Sequence, residues 1–279
     1  MLPPAEARPA GLLEQALAVP TLFMCGGEDY SRGLACHERG SDGKIAEEEW
    51  GIADVSESGT PFTTGEIVQQ LVRSPRLPQL TRQLQAILRA EQEKRERFYE
   101  EMSDAQKVEF INGEIIVQSP VKLRHSVASG NLFALLNAYV QKHALGYVGH
   151  EKLLIALTRN DYGPDICFFT QEKAAAFAPD QMKFPAPDLV VEILSDSTEV
   201  MDRGVKFEDY ALHGVAEYWL VDPEQESVEQ YLLGDEAYKL AVKVKSGTIQ
   251  SAAVSGFEIP VRAIFDPAEQ FAVLRALLR

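Results

Sequence analysis

Two carboxylates in this sequence are placed as a site for a hard cation would need them. Pro187-Asp188-Leu189-Val190-Val191-Glu192-Ile193-Leu194-Ser195 reads as a buried strand. Leu189, Val191 and Ile193 fall on one face by the two-residue period, and Val190 and Leu194 on the other. Glu192 stands inside that apolar run, where an ionised carboxyl is costly unless a cation, a proton or a positive side chain answers it. Upstream, Tyr162-Gly163-Pro164-Asp165-Ile166-Cys167-Phe168-Phe169 reads as a short strand entered through a Gly-Pro turn, with Asp165 at its mouth. Inward carboxylates on two adjacent strands suit a divalent cation such as Mg2+ or Mn2+, which prefers oxygen ligands. Asp188 is a rival to Asp165, on the same strand face as Glu192. Four strand residues span roughly 13 Å at about 3.3 Å each, whereas Mg2+ holds each oxygen at about 2.1 Å. The pair Asp165–Glu192 is therefore preferred, and Asp188 is left at the strand entry or in a supporting role.

These residues need a fold around them, and composition bounds it. The chain has 279 residues, 46% hydrophobic and 25% charged, enough for one large domain or one domain with an extension. No apolar run is long enough to span a bilayer, so no membrane segment is expected. Gly11 to Met24 is mildly apolar but contains Glu14 and lacks a strongly basic leader, so it reads as something other than a signal peptide. Cys25, Cys36 and Cys167 are an odd number without a framework, which points to a reducing cytoplasm. Cys36-His37 with Cys25 matches no structural zinc spacing. The net charge of -15 argues against a surface coated for non-specific nucleic-acid binding, though not against a local basic groove.

Residues 1–60 are broken by prolines, Gly26-Gly27 and Ser41-Asp42-Gly43, and read as a flexible or loosely packed extension. Residues 61–104 read as a helical segment. Thr63-Thr64-Gly65-Glu66 resembles a capping box, and Pro78 suits the first turn of a longer helix with Leu80, Leu84, Ile87 and Leu88 at helical spacing. Further along it, Glu91 with Arg95 and Glu93 with Arg97 have i,i+4 spacing, and a solvated face is favoured over a nucleic-acid contact. Residues 105–279 hold the rest. Asn112-Gly113 between apolar runs predicts a two-residue hairpin over 108–117 with a type I′ turn. Glu114 opens its return strand, either as a polar residue flanking the turn or pointing into the Asp165 site. His125 heads a helix with Ala128, Leu132, Leu135, Leu136 and Tyr139 on one face; it is a candidate proton carrier or metal ligand beside a plainer structural role. A strand over Tyr147 to Leu157, a short helix near Ala174 to Phe177 and a helix over Met201 to His213 with Val205, Tyr210 and Leu212 packing are expected next. Then come a strand at Glu217 to Asp222, a meander over 228–244, and a last helix capped at Asp266-Pro267.

Helix, strand, strand with Asp165, strand with Glu192, helix, strand resembles the core of the PD-(D/E)XK nucleases. Pro164-Asp165 would be its PD and Glu192 its acid. The residue two after Glu192 is Leu194 where that pattern has lysine. Some members draw the lysine from the following helix, which nominates Lys206. A plainer reading of Lys206 is a surface ion pair with Asp202 or Asp209. Asn112-Gly113-Glu114, His125, Pro164-Asp165, the run from Pro187 to Ser195, Asp202-Arg203-Gly204-Val205-Lys206, and the run from Gly214 to Pro223 together resemble the Uma2 family of endonucleases, over roughly residues 105 to 240. The resemblance implies an α/β (α+β) fold with a restriction endonuclease-like core, a mixed central sheet flanked by helices, carrying an N-terminal helical extension. It also implies a divalent-metal nuclease acting on DNA. Asp165 and Glu192 would hold the metal, with Lys206, Glu114 and His125 around it.

Two function classes stand at this point. One is a Mg2+-dependent DNA endonuclease, which by analogy would act as a homodimer, since cutting both strands takes two sites. The other is a non-catalytic module that keeps the fold to bind nucleic acid or protein; the net charge and Leu194 favour it, while the joint presence of Asp165, Glu192 and Lys206 opposes it. A helical adaptor built on residues 63–104 has little support.

Overall fold

In the computed structural model, which describes residues 64–103, 106–235 and 237–279, all five residues of the Glu192 strand are buried. The expectations for residues 1–60, and the Thr63 cap, lie outside the described residues. The elements in chain order are α1 (Thr64–Arg73), α2 (Leu77–Glu101), β1 (Val108–Ile111), β2 (Glu114–Val117), α3 (Leu123–His143), β3 (Gly146–His150), β4 (Leu154–Ala156), β5 (Asp161–Tyr162), β6 (Ile166–Thr170), α4 (Gln171–Ala174), β7 (Lys183–Phe184) and β8 (Leu189–Ile193). They continue as α5 (Glu199–Arg203), α6 (Val205–Leu212), β9 (Glu217–Asp222), β10 (Ser227–Leu233), β11 (Tyr238–Val244), β12 (Thr248–Gln250), β13 (Glu258–Pro260), α7 (Arg262–Phe265) and α8 (Pro267–Leu277).

Six strands form the central sheet in the order β11-β10-β9-β8-β6-β3. β8 and β9 run parallel, joined through α5 and α6, and the other neighbours are antiparallel, so the sheet is mixed. Both faces are covered, which is why β8 is apolar on both sides. Leu189, Val191 and Ile193 join one core with α3 and the C-terminal helices, through Leu132, Leu135 and Ile264. Val190 and Leu194 join the other core, with Phe169, Tyr210 and Tyr218. The alternation expected from the two-residue period is the one observed.

A second sheet, β2-β1-β5-β4-β7, is built on the predicted hairpin. Asn112 and Gly113 have φ of 52° and 83°, the left-handed pair that a type I′ turn requires. The expected strand over Tyr147 to Leu157 is two strands in different sheets, β3 and β4. Glu151, at φ 59°, breaks the extended run, and its N–H donates to the Asp165 carbonyl at 2.8 Å. The Met201–His213 helix is likewise two, α5 and α6, broken at Gly204 (φ -113°, ψ -107°), where a Cβ would lie 2.8 Å from the Val200 carbonyl oxygen. Leu212, expected to pack, is 77% exposed, while Tyr210 is fully buried. The short helix α4 ends at Ala174, earlier than expected.

The pairing expected along α2 is not formed. Arg95 is buried and forks onto Asp161, with Nε to Oδ2 at 2.6 Å and Nη2 to Oδ1 at 2.8 Å; it also donates to the carbonyls of Leu157, Thr158 and Asn160. Glu91 instead accepts from Arg159 at 2.7 and 2.8 Å, and Glu93 and Arg97 stay exposed. Arg95 is thus neither a solvated residue nor a nucleic-acid contact: it ties α2 to β5. Leu84, Ile87 and Leu88, although at helical spacing, remain about half exposed.

Candidate active site

β6 and β8 are antiparallel with Ile166 opposite Val191, so Asp165, just before β6, and Glu192, late in β8, arrive at the same end of the sheet. The Asp165 N–H points to Glu192 Oε2 at 3.4 Å, and the Ile193 N–H donates to Asp165 Oδ2 at 2.8 Å. The two carboxyls share one cavity of about 710 Å3, lined also by Lys107, His125, Asp202 and Lys206. Asp188 stays outside it, at the strand entry, accepting from the Thr170 N–H at 2.8 Å and pairing with Lys173.

His125, in the first turn of α3, places Nε2 3.3 Å from Asp165 Oδ2. Its Nδ1 is buried, with no hydrogen-bond partner among the described residues. Lys206, on α6, is 1% exposed. Its ammonium lies 3.0 Å from Glu109 Oε1, 3.1 Å from Asp202 Oδ1 and 3.3 Å from Glu192 Oε1. The surface pair with Asp202 or Asp209 is therefore half right: Asp202 is a partner, but the pair is buried. Asp209 instead accepts from Asn160 and Tyr162. Glu114 is exposed and lies outside the cavity lining.

Two residues here were not singled out by sequence. Glu109 on β1 is fully buried; besides Lys206 it accepts from the Gly163 N–H at 2.8 Å and from Gln118 Nε2 at 2.7 Å. Lys107, just ahead of β1, holds Asp165 Oδ1 at 2.9 Å. Glu109 carried the same signal as Glu192, an acid inside an apolar run, but the more conspicuous hairpin acid was Glu114. Lys107 carries no local signal, because its partner is 58 residues away.

Charge explains how these groups titrate. Burial would raise the Asp165 carboxyl, but Lys107 and His125 outweigh it and hold the group below the usual carboxylate range. At Glu192 burial dominates; Lys206 opposes it, yet Asp202, Asp165 and Glu109 add repulsion, so the carboxyl is pushed well above its ordinary value. Burial would lower the Lys206 ammonium, and Glu109, Glu192 and Asp202 hold it well above the ordinary range. Four carboxyls (Glu109, Asp165, Glu192, Asp202) thus face two ammoniums (Lys107, Lys206). The four acids outnumber the two ammoniums, the imbalance that helps raise Glu192; a bound cation would relieve it, and the donors are hard oxygens. Among the described residues no three His, Cys, Asp or Glu side chains form a ready-made metal group. Mg2+ does not need one, since it commonly uses one or two carboxylates and keeps several waters.

Comparison with known proteins agrees with this architecture. Residues 93–262 match the family model Uma2, described as a putative restriction endonuclease. An uncharacterized protein from Synechocystis is 30% identical over 138 residues, covering 48% of this chain and 77% of its own length. The crystal structure of a putative nuclease from Anabaena variabilis superposes with a TM-score of 0.53 at 19% identity, covering 63% of this chain and 96% of that one; at that identity the likeness speaks for the fold. Among the described residues no helix is long and apolar enough to cross a membrane. With the fold and the matched region both in hand, the chain belongs to the Uma2 family.

Proposed function

We propose that the protein is a divalent-metal-dependent DNA endonuclease whose centre is the Asp165–Glu192 pair. The observation that carries this reading is the meeting of the two carboxyls in one cavity, with a charge excess that two lysines leave unbalanced. Asp165 and Glu192 would hold Mg2+ or Mn2+, which supplies a Lewis acid for the phosphoryl oxygens and an acidified water.

The chain's own residues prepare the rest. The Ile193 N–H, Lys107 and His125 fix the Asp165 carboxylate from three sides. Lys206 holds Glu192 together with Glu109 and Asp202, so its main role is to position the acid. The Lys107 side chain is 19% exposed against 2% for Lys206, so Lys107 is the ammonium better placed to meet charge building on a phosphate. Glu114 has no part in this arrangement. The test is nicking of supercoiled plasmid with Mg2+ or Mn2+ present. Wild type is expected to nick, and Asp165→Asn and Glu192→Gln to lose at least about a hundredfold in rate. Equal nicking by all three proteins would refute the assignment.

A further inference from the structure

Two ion pairs cross the mouth of the same cavity. Lys122 Nζ lies 2.6 Å from Asp196 Oδ2, and Arg124 Nη2 lies 3.3 Å from Glu224 Oε1. The cations come from the chain entering α3 and from its first turn; the acids come from the turn after β8 and the turn between β9 and β10. All four line the cavity that holds Asp165 and Glu192, and all four side chains are open to solvent, from 42% for Arg124 to 76% for Asp196. Arg124 is next to His125, which touches Asp165.

A chain at -15 repels a polyanion at long range, so phosphate binding needs local cations. Lys206 is enclosed by buried carboxyls, and Lys107, tied to Asp165, is placed for the reacting phosphate and not for those flanking it. Among the described residues lining the cavity, that leaves Lys122 and Arg124 as the solvent-open ammonium and guanidinium. Exposed pairs such as theirs are weak and exchange easily. Phosphate oxygens accept strong charge-assisted bonds from both side chains, and the guanidinium fork can meet two at once.

We infer that Lys122 and Arg124 are contacts to the DNA phosphates flanking the bond held at Asp165 and Glu192, and that Asp196 and Glu224 are internal anions the strand must displace. This rests on the nuclease reading above. It makes the two members of each pair act in opposite directions. A purely structural pair would make both losses act alike.

The experiment is fluorescence anisotropy of a labelled DNA duplex with the full chain in EDTA, over a range of salt. Lys122→Gln and Arg124→Gln are each expected to weaken binding about tenfold and to reduce the salt slope by about one. Asp196→Asn and Glu224→Gln are expected to tighten it about threefold. Wild-type affinity in all four variants, or a shift of the same sign in both members of a pair, overturns the inference. If wild type nicks plasmid while the four variants bind as it does, only this inference fails. If wild type neither binds nor nicks, the nuclease reading fails and takes this one with it.

Discussion

Replacing Lys206 by methionine should cost the fold stability in a way that depends on pH. The ammonium is enclosed by Glu109, Asp202 and Glu192 at 3.0 to 3.3 Å, with its side chain 2% exposed. Methionine keeps the stem and removes the charge. The three carboxyls then stand together without their shared cation, which favours a proton on one of them. Holding neutral at pH 7 a carboxyl of ordinary value 4.5 costs about 3.4 kcal/mol, from 1.36 kcal/mol per pH unit. Loss of one partner from a buried pair is worth about 3–5 kcal/mol by mutational experience, the same range. At pH 5 the proton is cheap, and the same substitution should cost only about 1 kcal/mol. Urea unfolding of wild type and Lys206→Met at pH 7 and pH 5 reads both values. Equal losses at the two pH values, or a loss under about 1 kcal/mol at pH 7, would refute the idea that Lys206 is the countercharge of this cluster.

Two further outcomes follow from pairs away from the cavity. Arg95→Met strands Asp161 fully buried with Tyr99 as its remaining side-chain donor, and should lower unfolding stability by about 3–5 kcal/mol in urea. Glu229 is held down to about 2 by hydrogen bonds from Arg203, with Lys243 and Tyr231 adding to them against the opposing pull of burial. A depressed folded value stabilises the protein above the ordinary 4.5, and that contribution is lost as pH falls through about 2. Glu229→Gln should therefore flatten the fall of Tm with acid across that window, and an unchanged acid limb would contradict the assignment.

What the sequence showed and hid follows the range of the interactions. Glu192 was legible because a two-residue period exposes an acid set among Val190, Val191 and Ile193, and Asp165 because Gly163-Pro164 marks a strand mouth. Lys206 was reached through the family pattern, and its nearest partner, Glu109, sits on a hairpin almost a hundred residues earlier. The Arg95–Asp161 fork joins residues 66 apart, so local spacing proposed Glu91 as the partner instead. The breaks at Glu151 and Gly204 are backbone conformations that hydrophobic periodicity does not encode. The mixed sheet flanked by helices was legible, because strand and helix patterns alternate strongly through residues 108–222.

Binding of Mn2+ to the resting protein tests the central claim most directly. Calorimetry in two buffers of different ionisation heat measures both the metal and any proton it displaces. Wild type is expected to bind Mn2+ and to give up protons in doing so, because the burial and neighbouring acids that raise the Glu192 carboxyl make cation and proton compete for it. Asp165→Asn should bind far more weakly, and Glu192→Gln should bind weakly and release no proton. Mn2+ binding of the same affinity and proton count in all three proteins would contradict the account.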